Sequence, residues 1–235
     1  MRAGAAWLLA ALVAGPAAGQ GIEAAPHDAL APLLDGRIDF EELPALPEPG
    51  HNLNHGLAVI GARLGERFAG QRLAEAPGPE DGRHDAPEGR PDAPLALETG
   101  APGRGLSVSF HRAFGSNALY PLGPVGWPAE DGRGEGSAAV LFTRDACAVT
   151  LRLHTEYVDA LGTNTAHRGD VSFAFYGRDG RLMARLARRP GGGISGFGFR
   201  TETGAPAIAG LLVTNLDPGG IALDDIRFGC LPLTG

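Results

Sequence analysis

The sequence predicts an all-β protein built as an antiparallel β-sandwich. Eight segments in the second half of the chain look like strands, and turn residues separate them at sandwich-like spacing. No long segment beyond the first residues has a helical period, and the 37 glycines and 19 prolines among 235 residues fit many short connections. The predicted strands are 106–110, 137–142, 148–154, 171–176, 182–186, 194–199, 208–214 and 221–228.

The chain begins with a predicted signal peptide, residues 1–19. Arg2 supplies a positive charge, and residues 7–14 form an apolar segment shorter than the roughly 20 residues that cross a bilayer. Residues 16–19 contain the small side chains of a cleavage site. A buried N-terminal helix is the alternative. We expect cleavage after Gly19, a secreted or periplasmic protein, and no membrane span in the mature chain.

The segments that follow predict a leader, 20–35, and then one β-sandwich domain, 36–230. Residues 37–41 alternate between apolar and acidic side chains after the initial arginine. Because successive side chains of a strand point to opposite faces, Ile38 and Phe40 share one face of this first strand.

Residues 74–104 predict one long irregular loop within this domain. The segment is rich in Pro, Gly, Asp, Glu and Arg, and 95–97 is its one apolar run. Such a composition buries too little apolar surface to offset the entropy of ordering. We expect the loop to be exposed and flexible, with His84 and Asp85 in solvent.

The last predicted strand, 221–228, follows a turn at 215–220 and carries two adjacent acids, Asp224 and Asp225. Strict alternation places Asp224 on the same face as Ile226, toward the core. A carboxylate in that position needs a partner, because burying an unpaired charge is costly.

The two cysteines, Cys147 and Cys230, lie beside predicted strands. In the oxidising compartment that export implies, an isolated pair is usually a disulfide. Closing a loop of that length stabilises the fold by about 4–5 kcal/mol in the chain-entropy model. A catalytic or metal-binding thiol is the alternative, although no third cysteine is present to build such a site. Residues 231–235 follow as a short tail.

Three segments, 38–44, 169–180 and 221–228, resemble the lectin-like, jelly-roll modules of exported bacterial proteins, many of which carry a PEP-CTERM sorting tail. The last segment is also similar to the closing strand of MAM domains and carbohydrate-binding jelly rolls. This resemblance covers about 36–229 and implies a jelly-roll-type β-sandwich. The terminal apolar helix and basic tail of the PEP-CTERM group do not occur in the sequence, so sorting by that route is not expected.

The same resemblance implies a structural calcium ion that bridges an early Glu to a late Asp. The matching positions are Glu41 and Asp224, with Asp225 as a third candidate. Calcium takes six to eight hard oxygen ligands, which carboxylates and carbonyls supply. Without calcium, Asp224 caps a turn or accepts backbone N–H bonds, and Asp225 pairs with Arg227. The sequence leaves both interpretations open.

The net charge and the motifs of the sequence narrow the set of possible functions. The formal net charge of −7 argues against a nucleic-acid partner, which requires a basic surface. No Gly-x-Ser-x-Gly motif is present, and the positions of His111, His154 and His167 do not assemble into a catalytic triad by sequence alone. Glycosidase chemistry requires paired carboxylates. The candidate acids for that chemistry are Glu41, Glu135 and Asp224.

We expect an exported, non-catalytic recognition or surface module with a carbohydrate as its partner. Trp127 and Tyr120 are the candidates for contact with a sugar ring. The alternatives are a secreted hydrolase on the same scaffold and a purely structural envelope or matrix protein, since a fold alone does not settle function. Exposed aromatic side chains favour sugar binding, whereas acids that converge with histidine in a cleft favour the hydrolase.

Overall fold

The computed structural model describes residues 21–79, 82–156 and 169–231. The predicted signal peptide, 1–19, and residues 232–235 of the predicted tail lie outside them. In chain order the strands are β1 (Ile22–Ala25), β2 (Gly36–Ile38), β3 (His51–Asn52), β4 (Leu57–Val59), β5 (Ala62–Gly65), β6 (Arg67–Phe68), β7 (Arg72–Pro77), β8 (Arg83–Glu88), β9 (Leu97–Glu98), β10 (Leu106–His111), β11 (Ser116–Pro121), β12 (Ala138–Ala146), β13 (Ala148–His154), β14 (Val171–Tyr176), β15 (Leu182–Arg188), β16 (Ile194–Thr201), β17 (Ile208–Asn215) and β18 (Ala222–Gly229). The helical segments include α1 (His27–Leu30) and the 3-10 turns Ala31–Leu33 and Glu130–Gly132. Within the described part of the chain, none of the helices has the length and apolar character that crossing a membrane requires.

Two antiparallel sheets form a sandwich, which confirms the predicted fold class. The larger sheet has the order β1-β16-β13-β18-β11-β10-β3, and β2 also pairs with β18. The smaller sheet has the order β15-β14-β17-β12-β5-β4. From β12 onward the chain alternates between the two sheets, with the β14–β15 hairpin as the one local pair. This exchange of sheets is the jelly-roll type of connection.

The core lies between the two sheets and follows the alternation of the strands. On β13, Val149, Leu151 and Leu153 face inward and are fully buried. Phe199 of β16 packs against Phe173 and Phe175 of β14, with ring centroids 4.9 Å apart in both pairs. Each such buried side chain contributes roughly 1.5–3 kcal/mol. Truncating Phe199 to alanine should therefore cost about 3–5 kcal/mol.

Each of the eight strands predicted in the second half of the chain is present, with ends that differ by a few residues. Between β10 and β12 the structure also contains β11, which the sequence did not predict. Within β11 Leu119 is an inward-facing apolar side chain, and Pro121 ends the strand. A strand with so little alternating apolar character gives a weak periodic signal.

The sandwich begins earlier than the predicted boundary at 36. Strand β1 pairs with β16, and Ile22 belongs to the core, so part of the predicted leader is an edge strand of the larger sheet. Helix α1 then packs Leu30 against Ala148 on the outer face of that sheet. The predicted first strand, 37–41, is shorter than expected. It ends before Phe40, which is buried but has a φ of 61°.

The prediction of an exposed, irregular loop at 74–104 is wrong. Strands β7 and β8 pair over their full length as a hairpin, and Leu97 of β9 pairs with Phe68 of β6. His84 and Asp85, expected in solvent, are 0% and 2% exposed. The composition was misleading because this hairpin is held by its backbone ladder and by contacts of a few buried residues, rather than by an apolar face of its own.

The closing strand β18 changes its partner halfway along, and this change corrects the predicted orientation of its acids. One edge pairs with β11 at Leu223 and then with β2 from Ile226 onward. The other edge pairs with β13, whose register shifts by one residue at the same place, where Asp225 has a φ of 46°. A β-bulge of this kind resets the alternation. Leu223 and Ile226 therefore both face the core, and Asp224 does not share the face of Ile226.

The predicted disulfide Cys147–Cys230 is present, with Cα atoms 4.6 Å apart. Cys147 lies between β12 and β13, and Cys230 directly follows β18. The bond therefore joins the end of the closing strand to the point where the chain crosses from the smaller to the larger sheet.

Candidate functional site

A cleft of about 230 Å³ opens on the outer face of the larger sheet. Strands β10, β11, β13 and β18 form its floor, and the segments around Glu48 and Glu130 and the turn at 219–221 form its walls. The volume is below the roughly 300–1,000 Å³ of pockets for drug-sized ligands, so the cleft accommodates a single small ring. Its side chains combine acids, imidazoles, a phenol and a guanidinium: Glu48, His111, Tyr120, Glu130, Arg133, His154, Thr155 and Glu156.

Two histidines from strands on either side of the floor meet in the cleft, and we call His111 and His154 the histidine pair. Their ring centroids are 4.4 Å apart, at an angle of 65°. They meet because the strands between them carry small side chains on this face. His154 pairs with Ala222 of β18, which contacts Ala118 of β11. The sequence analysis named both histidines but did not predict that they are in contact. His167, named with them, lies outside the described residues.

Burial keeps the histidine pair uncharged at neutral pH. Loss of hydration lowers the pKa of His111 to about 4, with a smaller effect from the charge of Arg112. Loss of hydration likewise lowers the pKa of His154 to about 4, and His111 adds to that effect. The backbone N–H groups of Ala113 and Phe114 donate to Nδ1 of His111 at 3.2 and 3.3 Å. These bonds assign the proton of the neutral ring to Nε2.

A carboxylate is held in the cleft by two donors from different elements. The Tyr120 hydroxyl donates to Oε1 of Glu48 at 3.1 Å, and Nη1 of Arg133 forms an ion pair with Oε2. The Glu48 side chain is 44% exposed, whereas that of Arg133 is 11% exposed. Because the guanidinium lies beneath the carboxylate, Glu48 presents an oriented acceptor to anything that enters the cleft.

Two glycines position Arg133 by allowing two turns to touch. Gly134, with a φ of 85°, and Gly220, with a φ of 69°, lie in opposing segments. A Cβ atom on Gly134 would lie 2.3 Å from the nitrogen of Ile221, and one on Gly220 would lie 2.2 Å from the carbonyl oxygen of Arg133. No other residue fits this close approach with a positive φ. The turn before β18, predicted from its sequence, therefore forms one wall of the cleft.

Trp127 lies beside this wall, close to the segment that carries Glu48. Its indole N–H donates to the carbonyl oxygen of Pro49 at 3.4 Å, and the side chain is 38% exposed. Of the two aromatic residues proposed for sugar contact, Tyr120 therefore lines the cleft, whereas Trp127 contacts the residue after Glu48 and is not part of the lining. Both residues lie in the same region of the protein. The sequence alone does not assign them different roles.

The three predicted calcium ligands lie close together, but each is engaged by protein donors. Asp224 accepts from the Ser116 hydroxyl at 2.7 Å and from the Asp225 N–H at 2.6 Å. Asp225 accepts from Arg37 at 2.6 Å and from Arg227 at 3.1 Å. Glu41 accepts from the backbone N–H of Asn117, next to Ser116, at 2.7 Å. The backbone bond to Asp224 and the Asp225–Arg227 pair of the alternative interpretation are both present.

The pKa values of Asp224 and Asp225 shift in opposite directions. Burial raises the pKa of Asp224 to about 6, and the charges of Asp225 and Glu41 add to the increase. Guanidinium groups of Arg37 and Arg227 overcome the effect of burial on Asp225 and hold its pKa below the ordinary value. Over residues 21–79, 82–156 and 169–231, no set of three or more His, Cys, Asp or Glu side chains is arranged to hold a metal ion. Two carboxylates alone supply fewer oxygens than calcium takes.

A second set of buried titratable groups lies beneath hairpin β7–β8, and we call Glu66 and Asp85 the acid pair. Glu66 is 1% exposed, and both oxygens of Asp85 are buried without a hydrogen-bond partner among the described residues. Burial, together with the charge of Glu66, raises the pKa of Asp85 to about 7, although Arg104 at 3.8 Å opposes the increase. Burial also raises the pKa of Glu66, against the effect of Arg67.

No family model, curated protein or solved structure matches this chain. The geometry and chemistry of the cleft are therefore the basis of the functional argument.

Sequence reasoning missed Glu48, Glu130 and Arg133 as cleft residues. Glu130 and Arg133 lie three residues apart at the 3-10 turn Glu130–Gly132, but no motif marks them, and Glu48 reaches Arg133 through a contact between segments distant in sequence. The glycines that flank Arg133 are the one local signal, because a Gly-rich segment between two polar residues indicates close backbone approach.

Proposed function

We propose that the protein is an exported recognition protein that binds a saccharide in the cleft on the outer face of the larger sheet. One observation carries the proposal: the cleft combines an oriented carboxylate at Glu48, a second carboxylate at Glu130 and the uncharged histidine pair around a space for one small ring. Ligand sites typically place a few convergent polar groups in a concave surface.

The donors and acceptors of the cleft suit a ligand rich in hydroxyl groups. A hydroxyl both donates and accepts, so it pairs with carboxylates, neutral imidazoles and a guanidinium alike. Trp127 is 38% exposed and donates to the carbonyl oxygen of Pro49, so an exposed aromatic side chain contacts the residue that follows Glu48. The disulfide agrees with export, because such bonds persist in oxidising compartments.

A hydrolase is the second candidate, since acids and histidines share the cleft. Glycoside hydrolysis needs a carboxyl group that stays protonated near neutral pH beside a carboxylate. The carboxyl groups whose pKa burial raises above the ordinary value, Glu66, Asp85, Glu135 and Asp224, are not among the residues that line the cleft. Binding without catalysis is therefore the better supported function.

Calcium at Glu41 and Asp224 stays a prediction with its own test. The two carboxylates are near enough for one charge to affect the other, which is the observation in its favour. Thermal unfolding with excess calcium should shift the midpoint upward if the ion binds the folded state, and Asp224→Asn should remove the shift. An unchanged midpoint together with no bound metal contradicts the prediction.

A glycan-array screen of the purified protein tests saccharide binding. We expect a restricted set of hits, and we expect Tyr120→Phe to weaken them because it removes the hydroxyl that orients Glu48. Glu88→Gln is the matched control, since Glu88 is an exposed acid on β8 paired with Arg72, away from the cleft. Absence of any specific hit, or equal loss in both variants, overturns the proposal.

A further inference from the structure

The charges of the cleft indicate the class of its ligand. Building on the proposed function, we propose that the cleft takes a saccharide that bears a protonated amino group, and that Glu130 is the side chain that receives it.

The described lining of the cleft is acidic. It has three carboxylates, Glu48, Glu130 and Glu156, against the single guanidinium of Arg133. The histidine pair adds no positive charge at neutral pH, because burial lowers the pKa of both rings to about 4. The lining therefore favours a cation over an anion, in a protein whose formal net charge is already −7.

The carboxylates differ in what already neutralises them. Arg133 and Tyr120 both contact Glu48, so its charge is compensated within the protein. Glu130 is exposed at the start of the 3-10 turn Glu130–Gly132, and the described residues include no ion-pair partner for it. A free carboxylate accepts charge-assisted hydrogen bonds from an ammonium group, and these are stronger than bonds between neutral groups.

A cationic ligand also agrees with the way in which the charges of the cleft are already paired. Uronic acids and phosphorylated sugars would instead meet Glu130 with like charge, because the nearest guanidinium of the lining is committed to Glu48. Arg112 follows His111 in the chain and is not part of the lining.

Titration calorimetry with three matched trisaccharides tests the inference: a glucosamine trimer, its N-acetylated form and a galacturonic acid trimer. At about pH 6, where amino groups are protonated, we expect the glucosamine trimer to bind about tenfold more tightly than the N-acetylated form in low salt. The preference should shrink in about 1 M salt, where charges are screened within about 3 Å. The uronate should bind most weakly.

Two substitutions test whether Glu130 causes the preference for the amino form of the saccharide. Glu130→Gln should reduce the preference for the amino form to about threefold or less while the N-acetylated form binds as before, and Glu88→Gln should leave both affinities unchanged. Equal binding of the amino and N-acetylated forms, or tighter binding of the uronate, overturns the ligand class but leaves saccharide binding intact. No binding of these trimers with no hit on a glycan array overturns both proposals.

Discussion

The histidine pair in the cleft and the acid pair beneath hairpin β7–β8 are both buried titratable groups, yet burial moves their pKa values in opposite directions. Water is withdrawn from His111 and His154, and their pKa values fall to about 4. Water is withdrawn equally from Asp85, and its pKa rises to about 7. Burial penalises the charged form whatever its sign, so the histidine pair and Asp85 are all uncharged between about pH 4 and pH 7.

The two regions therefore oppose each other in the pH dependence of stability. For a histidine with a lowered folded pKa, the unfolded chain binds the extra proton, so stability is lost as pH falls from about 6.5 to about 4. For Asp85, the folded chain holds the extra proton, so stability is lost as pH rises from about 4 to about 7. The pH profile of wild-type stability shows only the net effect of the two regions. Single variants are therefore needed to measure the contribution of each region.

Replacing Asp85 by asparagine should have the largest effect on this balance. The amide cannot ionise, so the loss of about 3 kcal/mol between about pH 4 and pH 8 that Asp85 causes should disappear. Chemical denaturation across that range measures it. Glu88→Gln on the same hairpin is the control, and identical pH slopes for Asp85→Asn and wild type would show that Asp85 is not buried as an acid.

Replacing His111 by asparagine should change how stability depends on pH in acidic solution. The Asn side-chain oxygen can still accept the backbone N–H bonds that reach Nδ1, but it binds no proton. We expect the loss of stability between about pH 6.5 and pH 4 to be smaller by about 2 kcal/mol. Tyr120→Phe, a change in the same cleft without a group that titrates there, should leave the acidic slope unaltered. An unaltered slope in His111→Asn as well would contradict the prediction.

Arg104 affects the pH at which the Asp85 carboxyl ionises. Its guanidinium lies 3.8 Å from Asp85 and lowers the pKa of that carboxyl against the effect of burial. Arg104→Met should move the midpoint of the basic-side loss upward by about one pH unit, equivalent to about 1 kcal/mol. Arg104→Lys keeps the charge and should restore most of the wild-type midpoint; a midpoint that follows side-chain size and ignores charge would refute this role.

The exposed ion pair on the same hairpin should have the smallest effect. Arg72 and Glu88 face each other on β7 and β8, with side chains 73% and 55% exposed. Water and salt screen such a pair, so Glu88→Gln should change stability by less than about 0.5 kcal/mol at any pH. A larger loss would mean that the hairpin depends on surface charge instead of on its buried side.

Much of the fold was predictable because alternation is a local property. β13 and β14 begin and end where their sequence patterns indicate, and the turn between β14 and β15 contains an Asp179-Gly180 step whose positive φ at Gly180 is typical of a hairpin. The disulfide was predicted from the expected export and the count of two cysteines. Hairpin β7–β8 could not be predicted, since its stability depends on contacts with distant residues such as Glu135, whose carbonyl accepts from the N–H of Asp85.

The two acids of the closing strand show where local reasoning fails. Alternation assumes an uninterrupted strand, and the bulge at Asp225 breaks that assumption where β18 leaves β11 for β2. Aspartate tolerates a positive φ better than most residues, so two adjacent acids within an apolar strand were a weak signal of the irregularity.

The sequence by itself determined the sandwich, the disulfide and, except for β11, the strands from β10 onward, because strand period and turn chemistry depend on neighbouring residues. Only the tertiary structure decided the cleft and the acid pair. Burial and the meeting of His111 with His154 depend on which strands lie side by side and on the small Ala118 and Ala222 between them. Hydration is lost through contacts between distant segments, so no local pattern records which titratable groups will be uncharged.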